Sequence, residues 1–264
     1  MPSLSIQSRI AFFLSHLALS ALLAVCIAGI VFTAWFPEHF RMLAGGHKLF
    51  WTVVAVDVVC GPLLTLMLYK PTKTKLALAV DITLIAAIQL AALGYGLFTL
   101  ASARPIAVVF EVDRFRVVSH ADVPEADLRY LPTWASRWSL EPPRTVGLKM
   151  PLTVDERIQN FDAALQGVEV GQRPQYWQDY QFSVDAVKAR AQPIKILHHA
   201  RADQADLLDR AIKQALNDHQ IGETLNAEEF LWVPLVTRST LEWVVILDPV
   251  TLRIRAYAPL DGFL

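Results

Sequence analysis

The chain has 264 residues, 54% of them hydrophobic and only 19% charged, which indicates an apolar first part joined to a more polar remainder. Residues 1–99 hold six basic and three acidic side chains; the other 18 basic and 22 acidic residues leave 100–264 net acidic, so no basic face for nucleic acid is implied. Both cysteines, Cys26 and Cys60, fall in apolar runs, where they read as small buried hydrophobes and not as a disulfide or a metal pair.

The first apolar run, about 10–35, follows a short N-terminus bearing Arg9. It is about twice the length of a signal-peptide core, and no small-x-small site closes it. Leu23-Ala24-Val25-Cys26 is similar to a lipoprotein box, but Val25 is too large for the residue before such a cysteine, and the apolar run continues past it. The run therefore reads as a retained transmembrane helix. Two further runs, about 50–69 and 76–100, are joined by Lys70-Pro71-Thr72-Lys73-Thr74-Lys75. Each has about the 20 residues that an α-helix needs to cross roughly 30 Å of hydrocarbon. A three-helix transmembrane domain over 1–100 is expected, followed by a soluble domain over 101–264.

Positive charge stays on the cytoplasmic side of a bilayer, and aromatic residues gather at its interfaces. Arg9 and the three lysines of the 70–75 loop lie on one side. Trp35, Phe36, Phe40, Phe50 and Trp51 form an aromatic belt on the other. The N-terminus is therefore expected in the cytoplasm of a bacterium, the helices in its inner membrane, and residue 101 onward in the periplasm.

Ionisable and amide groups within the runs must face protein or water, because lipid solvates them poorly. At about 1.5 Å per residue, His16 and Asp81 lie roughly 8–9 Å in from the cytoplasmic side, while Asp57 and Gln89 lie roughly 10–15 Å below the outer surface. The depths predict two layers, His16 with Asp81 and Asp57 with Gln89. Such layers either hold three helices together, receive another helix, or move protons. Gly61-Pro62 lies one turn below Asp57, where proline removes a backbone hydrogen bond and is expected to kink the helix and open a notch.

Beyond Arg104-Pro105 the pattern becomes β-branched. Ile106–Val112 and Phe115–Val118 read as a strand or hairpin. Irregular, proline-rich chain is expected from about Pro132 to Pro151. Thr153-Val154-Asp155-Glu156 is a capping box opening a helix with Ile158, Phe161 and Leu165 on its apolar face and Gly167 at its end. Shorter helical turns are expected near Ser183–Ala191. Asp203 caps a second clear helix, carrying Leu207, Leu208, Ala211, Ala215 and Leu216 and stopped by Gly222. The C-terminus reads as a meander over Phe230–Val236, Leu241–Leu247 and Leu252–Tyr257. The soluble part is thus a compact α+β domain with an antiparallel sheet.

No nucleotide loop, zinc spacing or serine elbow is present, and no catalytic residue, cofactor or metal is expected. His198-His199, placed in a strand, would point to opposite faces as surface residues. Asp113-Arg114, beside Phe110 and Phe115, reads as an active carboxylate or as a structural ion pair. Tyr176, Trp177 and Tyr180 read as core plugs or as contacts for a protein partner, since Tyr and Trp dominate interface hot spots.

Several ordered landmarks carry a family resemblance. They are His16-Leu17 and Ser20, Trp35-Phe36-Pro37, Asp57 through Leu66 with Gly61-Pro62 inside it, Asp81, Gln89 through Leu93, Tyr95-Gly96, Arg104-Pro105, and Val109 through Phe115. In these the chain resembles the TfpX/TfpZ family of type IV pilin accessory proteins, densely over about 10–120 and more thinly to the C-terminus. The resemblance implies a non-catalytic inner-membrane helper for the major pilin, acting on its stability, assembly or display. Its expected partners are that pilin, the pilus assembly machinery and membrane lipid. The polar seam of His16, Asp57, Gly61, Pro62, Asp81 and Gln89, and the periplasmic residues Asp113, Arg114, Phe115, Tyr176, Trp177 and Tyr180, are the candidate contacts. A membrane enzyme that modifies pilin and a periplasmic sensor are the alternatives.

Overall fold

The computed structural model describes residues 2–68, 73–149, 153–217 and 226–264. Tyr69 at the end of the second apolar run, Lys70 to Thr72 of the basic loop, Pro151 and the Gly222 helix stop lie outside the described residues. The chain divides into two compact units, Met1–Arg104 and Pro105–Leu264.

Among the described residues of the first unit, three helical spans are long and apolar enough to cross a membrane: Ile10–Trp35, Gly46–Met67 and Lys75–Ala103. Helix α1 runs over Pro2–Ile30 and closes in a π-helical turn, Val31–Trp35. After a short turn at Phe40–Leu43, α2 runs without a break through three registers: α-helical over Gly46–Val54, π-helical over Ala55–Cys60, and α-helical again over Gly61–Leu68. Helix α3 covers Lys75–Ala103, and the Thr74 hydroxyl caps its start by accepting the Ala77 N–H at 3.3 Å.

Much of the expected aromatic belt is packed inside. Trp35, Phe36 and Phe50 are buried with Val31, Leu100 and Ala101, and Phe40 is buried too; Trp51 is exposed. Gly46 permits this packing, because a Cβ there would stand 2.3 Å from Phe36 Cδ1. Arg41 donates to the Phe32 carbonyl at 3.0 Å, satisfying an acceptor that the helix end leaves open, and its guanidinium lies 5.2 Å from the Phe32 ring centroid.

The second unit is built on one sheet. Its strands are β1 (Pro105–Phe110), β2 (Phe115–Ser119), β3 (Arg144–Leu148), β4 (Trp177–Asp179), β5 (Gln192–Pro193), β6 (Leu231–Val236), β7 (Trp243–Leu247) and β8 (Ile254–Ala258). The order is β4-β3-β1-β2-β6-β7-β8, with β5 pairing β6 off this path. Most neighbours are antiparallel, including the C-terminal meander β6-β7-β8. Two pairs are parallel, β1 with β3 and β2 with β6. The β2–β6 pair joins an N-terminal half-sheet to the meander.

Among the described residues, four α-helices accompany the sheet: α4 (Val154–Leu165), α5 (Val184–Arg190), α6 (Ile194–Ala200) and α7 (Ala205–Asn217). Leu208, Ala211 and Ala215 of α7, with Ile194 and Leu197 of α6, pack on Trp232, Val244, Ile246 and Ala256 of the meander. The N-terminal half-sheet has its own core of Ile106, Val109, Val118 and Val146, covered by Trp134 and Trp177. The α4 capping box forms as the sequence predicts, with Glu156 N–H to Thr153 Oγ1 at 3.2 Å and Thr153 N–H to Glu156 Oε2 at 3.0 Å. Gly167, at φ +81°, ends the helix with a Val168 N–H to Ala163 carbonyl bond of 2.9 Å.

Three local readings are corrected. Arg144–Leu148 is a strand inside the stretch expected to be irregular. Asp203 lies in a 3-10 turn, Ala202–Gln204, ahead of α7. His198 and His199 are on α6, which buries Ile194 and Leu197 one turn apart; both histidines are exposed, and His198 Nε2 lies 3.3 Å from Asp209 Oδ1.

Candidate functional site: a buried carboxylate in an apolar cavity among three helices

The π-helical segment of α2 explains how the site is built. Pro62 has no N–H to give, and its ring presses on the preceding turn. The backbone changes register over the six residues before Gly61, and such π segments recur at functional sites. In a π register the carbonyl of Asp57 looks five residues ahead for its donor and meets Pro62. Gln89 Nε2 of α3 donates to that carbonyl instead, at 3.2 Å. Gly61 makes room for it, since a Cβ at Gly61 would lie 1.7 Å from the same nitrogen. Asp57, Gly61, Pro62 and Gln89 thus form one device, joined through the backbone of Asp57 and not through its carboxylate.

One turn further, the Thr65 hydroxyl donates to the Gly61 carbonyl at 3.1 Å and lies 2.6 Å from His16 Nδ1 of α1. The hydroxyl thus links α2 to His16 of α1 while also closing on its own helix. The expected approach of His16 to Asp81 is not what the structure shows. Asp81 pairs with Lys73, whose side chain reaches back along the helix end. Equal depth fixed the height of His16 and Asp81 but not the direction each faces around its helix.

An open-sided cavity of about 220 Å³ lies among the three helices, lined by His16 and Ser20 of α1, Phe50, Val53 and Asp57 of α2, and Ala86 and Gln89 of α3. A second cavity of about 340 Å³ adjoins it, sharing His16, Ala86 and Gln89 and adding Thr65. Both carboxylate oxygens of Asp57 are buried with no hydrogen-bond partner among the described residues. An unpaired carboxylate in an apolar setting is costly, and a hydrogen-bond donor or a cation entering the cavity relieves that cost.

The soluble-domain candidates do not converge. Arg114 Nε donates to Asp113 Oδ1 at 2.8 Å in the β1–β2 turn, and its guanidinium covers the Phe263 ring; this is a local ion pair. Phe115 and Tyr176 are buried, so as partner contacts they are corrected: a buried ring offers no area to a partner. Phe115 packs edge-on against Phe110. Trp177 is half-buried, stacks on Trp134, and donates from Nε1 to the Gly171 carbonyl at 2.8 Å. Tyr180 donates to the Leu252 carbonyl at 2.7 Å, holding a turn in which Leu252 has φ +55°. Burial pushes the Tyr180 hydroxyl's pKa up. Together Trp134, Arg144, Trp177 and Tyr180 line a groove of about 420 Å³.

The family described as "Fimbrial assembly protein FimB" matches residues 4–45. Two fimbrial assembly proteins of Dichelobacter nodosus, of serogroup E1 and serogroup I, are each 32% identical to the chain over 256 residues, covering 94% of this chain and 93% of the relative. The chain belongs to the fimbrial assembly protein family. A third relative, from serogroups C1 and C2 of the same organism, is 42% identical over 108 residues, covering 41% of this chain and 82% of the relative. No solved structure matches.

Membership in this family ties the chain to the building of fimbriae. The match over 4–45 takes in His16 but stops before Asp57 and Gln89. Thr65, which contacts His16, is a member of this cluster that the sequence reading did not single out as a site residue. Its signal was available: it lies four residues after Gly61, which a helical period places on the same face.

Proposed function

We propose that this protein is a non-catalytic accessory protein of type IV pili, of the TfpX/TfpZ kind, which binds the major pilin in the bacterial inner membrane and aids its stability and assembly. In this reading the N-terminus is cytoplasmic and the unit from Pro105 onward is periplasmic. The observation that carries it is the unpartnered Asp57 carboxylate in an apolar cavity between three membrane-length helices, within a chain of the fimbrial assembly family. Such a cavity suits an apolar segment that brings its own hydrogen-bond donor. The segment fills the apolar walls while its donor meets Asp57, so a subunit awaiting assembly is held without covalent change.

Purification of the tagged protein from mildly solubilised membranes, with mass spectrometry of what accompanies it, tests the proposal. Pilin is expected at a level well above an unrelated membrane bait, and cells lacking the gene are expected to lose pili. Pilin absent from the wild-type eluate, or normal piliation without the gene, overturns it. A mass shift on pilin that disappears with the gene favours an enzyme instead.

A further inference from the structure

The helix α4 is turned the opposite way to an ordinary surface helix. Its buried residue is polar: Asn160 is 6% exposed and accepts from Arg173 Nη1 at 2.5 Å, and Arg173 Nε also donates to the buried Asp127 at 2.9 Å. Its apolar stripe faces outward. Val154, Ile158, Phe161 and Leu165 are 69%, 54%, 66% and 73% exposed. Their spacing of four, three and four residues is the seam of a helix that packs on another helix. The buried Asn160 lies on the opposite side, so the stripe cannot rotate inward without breaking the Arg173 and Asp127 network.

We infer that this stripe is a self-association surface, on which α4 of one chain packs parallel to α4 of a second copy. The flanking charges select that occupant. In the seam's heptad frame, Arg157 precedes the core position at Ile158 and Asp162 follows the one at Phe161. In a parallel pair these two positions, five residues apart on opposite helices, face each other. Arg157 of each copy meets Asp162 of the other, so two symmetric ion pairs flank the seam. Both side chains are exposed and form no ion pair among the described residues. Antiparallel pairing sets Asp155 against Asp162 and gains nothing. A bilayer surface is a poor occupant, because Asp155, Glu156 and Asp162 outnumber Arg157 and repel anionic headgroups.

The stripe contributes roughly 400 Å² per chain, about half of what a standard interface uses on each partner. Chains held in one membrane meet at a raised effective concentration, which lets a patch of this size associate.

The test uses full-length protein carrying two different affinity tags, co-expressed and recovered from mild detergent through one tag while the other is read. Wild type is expected to co-purify with itself. Arg157→Asp alone and Asp162→Arg alone, each placing like charges in both pairs, are expected to lose recovery about tenfold. Co-expressing Arg157→Asp in one tagged chain with Asp162→Arg in the other restores both opposite-charge pairs, and recovery is expected to return. Ile158→Glu with Phe161→Glu is expected to abolish it. Wild type that does not self-associate, single variants that associate as well as wild type, or a mixed pair that fails to recover while each chain is present in the membrane overturns the proposal.

Discussion

Replacing Asp57 by leucine separates stability from function in a way that the geometry makes specific. Neither carboxylate oxygen has a hydrogen-bond partner among the described residues, and the bond that links α2 to α3 uses the Asp57 backbone carbonyl, which the substitution keeps. Removing the carboxylate therefore breaks no hydrogen bond. Relief of a buried unsatisfied polar group amounts to about 1–3 kcal/mol. A leucine side chain also extends into the cavity of about 220 Å³ beside it. Asp57→Leu is expected to raise the stability of the solubilised bundle by about 1–3 kcal/mol while lowering pilin recovery and piliation. Unfolding in mixed detergent, followed by tryptophan fluorescence, reads the first effect; pilin immunoblots and pilus counts read the second. A destabilised variant would refute the reasoning, since it would mean that the carboxylate holds the bundle together. A stabilised variant with normal pili would remove Asp57 from the functional site.

Gly61→Ala is expected to expel the Gln89 amide, losing a membrane hydrogen bond of about 0.6 kcal/mol. Better helix propensity returns about 1 kcal/mol, so stability stays near wild type. In a Gln89→Leu background, where that bond is already absent, the same alanine should return the full helix-propensity gain of about 1 kcal/mol, so the two changes couple by about 0.6 kcal/mol; an equal effect of Gly61→Ala in both backgrounds would contradict the contact. Alkaline-phosphatase fusions after residue 104 are expected to be active and fusions at Lys73 inactive; the reverse pattern would sink the orientation and the periplasmic role together. Asp248 is pushed up by burial but held at about 2 by the N–H groups of Thr251 and Val250 and by Arg255. Its native pKa is depressed, so its contribution, about 2 kcal/mol, is full above the ordinary carboxylate range and is lost as the pH falls towards about 2. Asp248→Asn should lack that part of the acid transition in a fluorescence titration, and an unchanged acid profile would remove Asp248 as its source.

Much of the fold was legible where one local signal sufficed. The three apolar spans, the Thr153–Glu156 capping box and the β6-β7-β8 meander each depend on a short window of sequence. Arg144–Leu148 was not legible, because it is a strand by virtue of pairing parallel to β1 across nearly 40 residues. The short α6 misled for a different reason. Two buried residues, Ile194 and Leu197, are too few to show a period, and the adjacent histidines were read in a strand. At the site, the sequence supplied Asp57, Gln89, Gly61 and Pro62 but paired the wrong atoms. Depth along a helix follows from counting, whereas facing depends on the π register that Pro62 imposes. The outward stripe of α4 was visible as an apolar face, but the buried polar residue that turns it outward is a tertiary fact.

The parallel pairing of β2 with β6 has a consequence for the order in which the chain is made. Phe115 and Arg116 wait for Leu235 and Val236, about 120 residues later. At ribosomal speeds of about 5–20 residues per second, that edge stands open for roughly 6–24 s after its own hairpin is complete. An open strand edge is a template for pairing with other chains. Any truncated product ending before Leu231 keeps that edge permanently, so such fragments should be sticky and quickly degraded, and the completed C-terminus acts as the chain's own quality mark.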